Sequence, residues 1–330
     1  MSLYFRSDWE RAEKYLQQGI GQSRKAGANI TTTNFLNSLG LVARGRGDLT
    51  KAMEYWRQAL ETWKAILPGT AYEGAGLLNM AILLAQRGDL AEAENYNHRA
   101  FALYEKINKD RGPSEGQAFI LDNLGMVAWR RGELEKAERY SRKAVEIIAK
   151  LDPGTAEQGE ALSDLAIVLE ARGNHREAAD CLRQSIAILA KLAPGSPEAA
   201  EDFQNLGNIA MHRADFNGAE QNYLQALAMK AKLAPQGLSV AETLNSLAEV
   251  ALDRDQVTKS RGYYEQALAL REKLAPRSTD HAETLGALAG IARREGQLEQ
   301  AAKVAFRFGH DLPMLMTQPR PAPKTEYPPR

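Results

Sequence analysis

Apolar and small residues recur at steps of three and four along most of the chain, and no stretch alternates with period two for long enough to predict a strand. The segment from Asn123 to Val145 shows the pattern. Asn123-Leu-Gly-Met-Val-Ala-Trp129 reads as one helix, Arg130-Arg-Gly-Glu133 as a turn, and Leu134 to Val145 as a second helix. A Leu or Met followed by a small residue then recurs at Leu39, Met80, Leu124, Leu165, Leu206, Leu247 and Leu288, with spacings of 41, 44, 41, 41, 41 and 41. Eight residues after each marker stands a turn position: Gly47, Gly88, Gly132, Gly173, Ala214, Asp255 and Gly296. Thirteen after it stands a small residue: Ala52, Ala93, Ala137, Ala178, Ala219, Ser260 and Ala301. Pro68, Pro153, Pro194, Pro235 and Pro276 close five of the units. A fixed period of this kind predicts a stacked helical-hairpin array, all-α.

Boundary signals support the same division. Gly at the turn suits a left-handed C′ residue; Asp255 tolerates that conformation and Ala214 fits it less well. Thr70-Ala-Tyr-Glu73, Thr155-Ala-Glu-Gln158 and Ser239-Val-Ala-Glu242 read as capping boxes, with Asp280-His-Ala-Glu283 a looser version. Ser196-Pro197 places Pro just inside a helix start. Pro sits four residues later than in a 34-residue helical hairpin, so the second helix is expected to be about one turn longer.

Asn205-Leu-Gly-Asn208, Arg131-Gly-Glu-Leu134, Ala137-Glu-Arg-Tyr140 and Lys191-Leu-Ala-Pro-Gly-Ser196 resemble the tetratricopeptide repeat (TPR) family. The resemblance is to its long-repeat, kinesin-light-chain-like branch and to the bacterial arrays associated with CHAT peptidase domains. It covers about Leu3 to Phe306. It implies a right-handed superhelical solenoid of about six full repeats plus half-repeats at both ends, and a protein-binding scaffold or adaptor. The alternative it implies is the recognition or regulatory part of a larger CHAT-type effector lacking its catalytic domain. Unit six departs at Asp255 and Ser260, so looser packing is expected there.

Both ends are irregular. Ser7 to Tyr15 matches a second helix whose first helix is missing, apart from a remnant at Leu3 to Phe5. An unmatched repeat face around Trp9 and Tyr15 is expected to be apolar and to self-associate or be covered. Residues 1–308 are expected to form the solenoid. Residues 309–330, with Pro313, Pro319, Pro321, Pro323, Pro328 and Pro329, are expected to be a disordered Pro-rich tail.

Composition narrows the function. The 330 residues carry 42 Lys plus Arg and 42 Asp plus Glu, a formal net charge of zero. That balance speaks against nucleic-acid binding and a polybasic membrane anchor. The start lacks a signal-peptide pattern and no apolar stretch spans a bilayer, so a cytoplasmic location is expected. One cysteine, Cys181, excludes an internal disulfide. It falls on a core position and reads as a small buried residue. No His has a second His three or four residues away, and no phosphate loop exists because Gly-Lys never occurs. No enzyme, cofactor or metal is predicted.

Binding is expected on the first helices, at positions −5, −2, +2, +5 and +6 from each marker, which share one helical face. Units two and three place Leu78, Ile82, Phe119, Met126 and Trp129 there. Units four to six place Glu160, Glu170, Glu201, Glu242, Glu249 and Asp253 there with no Lys or Arg, together with Asn208 and Asn245. Glu242 and Glu283 also fit capping-box roles. The pattern predicts a protein or peptide ligand with an apolar anchor and basic residues. One position before the marker stand Ser38, Asn79, Asn123, Asp164, Asn205, Ser246 and Ala287. The resemblance implies that Asn79, Asn123 and Asn205 hold a ligand backbone, which a side-chain amide can do because it both donates and accepts; Ser38, Asp164, Ser246 and Ala287 depart from an unbroken ladder, and the alternative is an amide satisfied by a neighbouring helix.

Overall fold

The computed structural model describes residues 4–23, 30–297 and 299. Among them lie fourteen helices and no strand. Helix α1 (Tyr4–Ser23) stands alone. Six hairpins follow: α2 (Ile30–Gly45) with α3 (Leu49–Ile66), α4 (Ala71–Arg87) with α5 (Leu90–Ile107), and α6 (Glu115–Arg130) with α7 (Leu134–Leu151). Next come α8 (Ala156–Ala171) with α9 (His175–Leu192), α10 (Pro197–His212) with α11 (Phe216–Leu233), and α12 (Leu238–Asp253) with α13 (Val257–Leu274). Helix α14 (Thr279–Arg294) opens a seventh repeat. Each hairpin's second helix has 18 residues and most first helices have 16, as the displaced Pro predicts. The chain divides into two compact units between Cys181 and Leu182, inside α9.

Turn chemistry follows the sequence. Ala214 and Asp255 adopt φ of 55° and 57°, the left-handed conformation that Gly132 takes in the equivalent turn at 76°. Helix starts depart from expectation. Ser239 and Asp280 lie inside their helices, because the N-caps are Gly237 and Ser278. The capping-box roles for Glu242 and Glu283 are therefore overturned, since both sit one turn further in. Glu73 and Gln158 do reach back, but to the N–H of Gly69 and Gly154, one residue before the cap. Thr70 makes no side-chain cap bond, whereas Thr155 and Ser196 accept from Gln158 N and Ala199 N. A full capping box occurs instead at Ser114 and Gln117.

The core runs along each unit between first and second helices. In the first unit Trp56, Leu60, Leu77, Met80, Leu83, Ile120, Leu124 and Val127 form one buried cluster across three hairpins. Each such side chain contributes roughly 1.5–3 kcal/mol on leaving water. Successive first helices there touch, α4 with α6 and α6 with α8, more closely than α3, α5 and α7 touch one another. The first helices therefore line the inner side of that unit. Unit six is not loosely packed: Ser260, Tyr264 and Ala267 are buried.

Helix α1 is a cap rather than an open apolar edge. Tyr4 and Phe5 belong to it, not to a separate first helix. Ile20 and Leu16 pack with Leu36, Leu39 and Trp63, and the Trp9 ring lies over Gly45. The opposite face shows Arg11, Gln18, Gln22 and Tyr15, the last 69% exposed. Trp9 is thus engaged within the chain, and the expected apolar edge reduces to Tyr15. The expected Pro-rich tail, residues 309–330, lies outside the described residues.

Charged pairs repeat with the same period. Glu13 pairs with Arg46 at 2.7 Å, Glu94 with Arg131 at 2.7 Å, Glu138 with Arg172, and Glu220 with Arg254. Each joins the second helix of one repeat to the turn after the next first helix. At the last described junction the signs are exchanged: Arg261 pairs with Glu295. Met53 and Ala179 stand at the acidic position in the two junctions that lack such a pair, and Arg87 turns to Asp89 instead.

Candidate functional site

The helical period brings the predicted inner positions onto one face. In the first unit Leu78 and Ile82 on α4, and Met126 and Trp129 on α6, are half-buried, while Phe119 is 36% exposed. Leu78 leans on the main core cluster. Met126 and Trp129 pack against Ala128, Ala137 and Val168, so part of each ring or chain seals the seam with α8. Phe119 is the most open of the five. Beside them the Arg130 guanidinium donates to the Ala85 carbonyl at 2.5 Å, and burial lowers its pKa. Glu170 is half-buried on α8.

The row of amides bonds sideways between repeats. Asn79 Nδ2 donates to Asn37 Oδ1 at 2.8 Å, and Asn123 Nδ2 to Asn97 Oδ1 at 3.4 Å. In the second unit Gln204 Nε2 donates to Ser246 Oγ at 3.0 Å, and Thr284 Oγ1 donates to Asn245 Oδ1 at 3.3 Å. Asn208 Oδ1 accepts from the Tyr223 hydroxyl at 2.8 Å. Asn205 is half-buried on α10. A primary amide has two N–H donors and two lone pairs, so one sideways bond leaves capacity for a ligand. The bonds fix the amides in orientation; those of Asn79, Gln204 and Asn245 also tie neighbouring first helices together, whereas Asn123 and Asn208 bond to second helices.

Two cations on the first-helix face of the second unit escape a reading confined to first helices. Lys230 on α11 is 3% exposed and stands 3.1 Å from Glu201 Oε1. The contact is an ion pair without a well-aligned hydrogen bond. Arg271 on α13 is buried, and it donates to the Asp280 carbonyl at 3.0 Å and to Thr284 Oγ1. Both stand 24 residues after their markers, where the first four units carry Trp63, Tyr104, Ile148 and Leu189. In-register comparison of that column is the signal that reveals them. The acidity expected of units five and six is therefore partly neutralised from below.

Burial dominates the electrostatics of this face. It raises the Glu201 carboxyl pKa despite Lys230, with Glu242 adding to the effect. It also raises that of Glu249, helped by the like charges of Asp253 and Glu283 and opposed by Arg271. Glu249 reaches the surface, yet is crowded enough by surrounding protein to be poorly solvated. The buried Tyr264 hydroxyl beneath Glu249 and Asp253 is raised as well. Cys181 is buried and its thiol is pushed up to about 11, chiefly by desolvation, so no thiolate forms at neutral pH. Among the described residues no group of three or more His, Cys, Asp or Glu could hold a metal ion. No helix among them is long and apolar enough to cross a membrane.

A family model described as tetratricopeptide repeat matches residues 31–106, 116–191 and 239–305, more than half of the chain. The chain belongs to the TPR family. Its fold is the all-α TPR solenoid, of the kinesin-light-chain-like kind. BtubC (BKLC) from P. vanneervenii is 21% identical, over 72% of this chain and 96% of that one, with a TM-score of 0.61. A putative kinesin light chain of nearly identical TPR-like repeats from Podosopora anserina is 20% identical, over 63% of this chain and all of that one, with a TM-score of 0.54. A Rap protein solved with competence and sporulation factor is 15% identical, over 88% of this chain and 77% of that one, with a TM-score of 0.61. At these identities the likeness shows the fold alone. A search of curated proteins returned no match.

Proposed function

We propose that this TPR protein is a non-enzymatic binding scaffold whose first-helix faces take a segment of a protein partner. The apolar anchor of that partner sits at Leu78, Ile82, Phe119, Met126 and Trp129, and its basic residues face the carboxylates, Glu170 and Glu249 among them. The observation that carries this reading is the partial exposure of five large apolar side chains on one inner face, at positions the repeat could fill with polar residues. TPR proteins bind protein or peptide partners, and the Rap protein was solved in complex with competence and sporulation factor, which supports the assignment. Asn79, Asn123 and Asn205 would hold the ligand backbone, with Asn208 and Asn245 beside them on the same face, since an amide has two donors and two lone pairs.

Surface plasmon resonance against a partner captured on the intact chain tests the two halves separately. Trp129→Ala is expected to speed dissociation, since loss of a buried aromatic anchor typically costs about 2 kcal/mol or more. Phe119→Ala, which disturbs the fold less, is expected to act in the same direction. Glu170→Lys with Glu249→Lys is expected to slow association and flatten its salt dependence. Unchanged kinetics in all variants would place the binding site elsewhere.

A further inference from the structure

One column of the first unit's inner face has a step that selects a ligand conformation. Two residues after their markers stand Leu41, Ile82, Met126 and Ile167, on α2, α4, α6 and α8. Leu41 is 46% exposed and the other three are half-buried, so four successive first helices contribute to an apolar strip. In the second unit the same column holds Asn208, Glu249 and Gly290, and the strip stops. Helix α6 touches α4 and α8, and Asn79 bridges α4 to α2. Packed helices lie about 8–10 Å apart, which sets the step from one of these side chains to the next. A strand presents the same face about every 6.7 Å, out of step with the strip. A polyproline II segment presents it every third residue, about 9.3 Å, in step with the strip. An α-helix comes near only after two turns, about 10.8 Å, and uses its own N–H and C=O groups internally.

The amides beside the strip suit a ligand whose backbone is unpaired. Asn79 and Asn123 stand three residues before Ile82 and Met126, less than one turn away. Each gives one N–H to a neighbouring amide, Asn37 or Asn97, and keeps a second. A polyproline II backbone has no internal hydrogen bonds, and Pro removes its N–H donors while keeping every C=O acceptor. The remaining amide donors therefore match a Pro-rich chain. Phe119 and Trp129 flank Met126 on α6 and offer the aromatic faces against which Pro-rich segments dock. Among the charged side chains at the inner positions of α6 and α8, Asp122, Glu160 and Glu170 outnumber Arg130, so the complementary ligand is basic. We propose that the first unit takes a Pro-rich, basic segment of a protein partner in the polyproline II conformation, with an apolar side chain at every third residue against Leu41, Ile82, Met126 and Ile167. Four contacts at that period need about ten residues.

This inference rests on the reading that first-helix faces bind partner segments, and adds the conformation, spacing and composition of the segment. Three fluorescent synthetic peptides of equal length and charge are titrated with the intact chain and followed by anisotropy. One is four repeats of Leu-Pro-Lys. The second has the same residues reordered so that the leucines stand at every second position. The third is α-helical, with Ala replacing Pro and the leucines spaced by three and four. The period-three peptide is expected to bind at least fivefold more tightly than either of the others. Leu41→Asp, at an exposed site, and Asn79→Ala are each expected to weaken its binding at least fivefold, and added salt is expected to weaken it as well. Equal or tighter binding of another peptide, lost in Leu41→Asp, overturns the conformation while the groove reading stands. Binding that neither substitution weakens, or no binding of any peptide, overturns the inference. The groove reading itself falls only on unchanged partner kinetics in the variants already described, Trp129→Ala and Phe119→Ala among them.

Discussion

Lys230→Leu is expected to destabilise the protein by about 3–5 kcal/mol, because it strands the Glu201 carboxylate in a poorly solvated site. The pair is 3.1 Å apart and Lys230 is buried. Adding Glu201→Leu is expected to restore most of the loss, because it removes the stranded carboxylate, and the column of Lys230 already accepts an apolar side chain in the first four hairpins, as Trp63, Tyr104, Ile148 and Leu189. The pH dependence has a definite sign. Burial already lifts the Glu201 pKa above its ordinary value, and losing Lys230 removes an influence that lowers it. A carboxyl raised in the folded state binds its proton more tightly there than in the unfolded chain. Its contribution is therefore most favourable in acid and is lost as pH rises through the raised pKa. The deficit of Lys230→Leu is expected to be small in mild acid and full at neutral pH, and the double variant is expected to lack this dependence. Urea denaturation across pH measures it.

Trp56→Ala is expected to cost about 3–5 kcal/mol, the range for emptying a large aromatic site in a core. Trp56 is 1% exposed, joins a large buried cluster that spans three hairpins, and donates its Nε1–H to the Asn37 carbonyl at 3.1 Å. Its ring also dictates the residue opposite: a Cβ on Gly40 would lie 2.2 Å from Trp56 Nε1. Gly40→Ala is accordingly expected to destabilise through overpacking, by roughly 1–3 kcal/mol. Thermal unfolding followed by circular dichroism reads both, and a change below the precision of the measurement in Trp56→Ala would refute the account of the core.

The sequence carried the repeat, because period and small-residue positions are imposed by local packing. Gly40, Gly125 and Gly207 mark where Trp56, Ser141 and Tyr223 press on the first helix, and such close approach leaves a readable trace. The turn at Ala214 was readable too, since eight-residue spacing from Leu206 fixes the geometry whatever residue fills it. Helix starts were less legible. Ser239 and Asp280 have the composition of caps, but the pattern of a box does not say which of several nearby polar residues ends the loop. The charge of the candidate face is not legible from the first helices alone, because a long second-helix side chain can run beneath its neighbour. Lys230 and Arg271 reach the first-helix face that way. The outer face of α1 was misjudged, because an unpaired helix can be polar on its free side, as Arg11, Gln18 and Gln22 show.

Hydrogen–deuterium exchange on the intact chain, with and without a protein partner captured on it, tests the binding reading most directly. Slowed exchange is expected on first helices, above all α4 and α6 around Leu78, Phe119 and Trp129, and α12 around Glu249. Protection confined to the second helices α5, α7, α11 and α13 would contradict it.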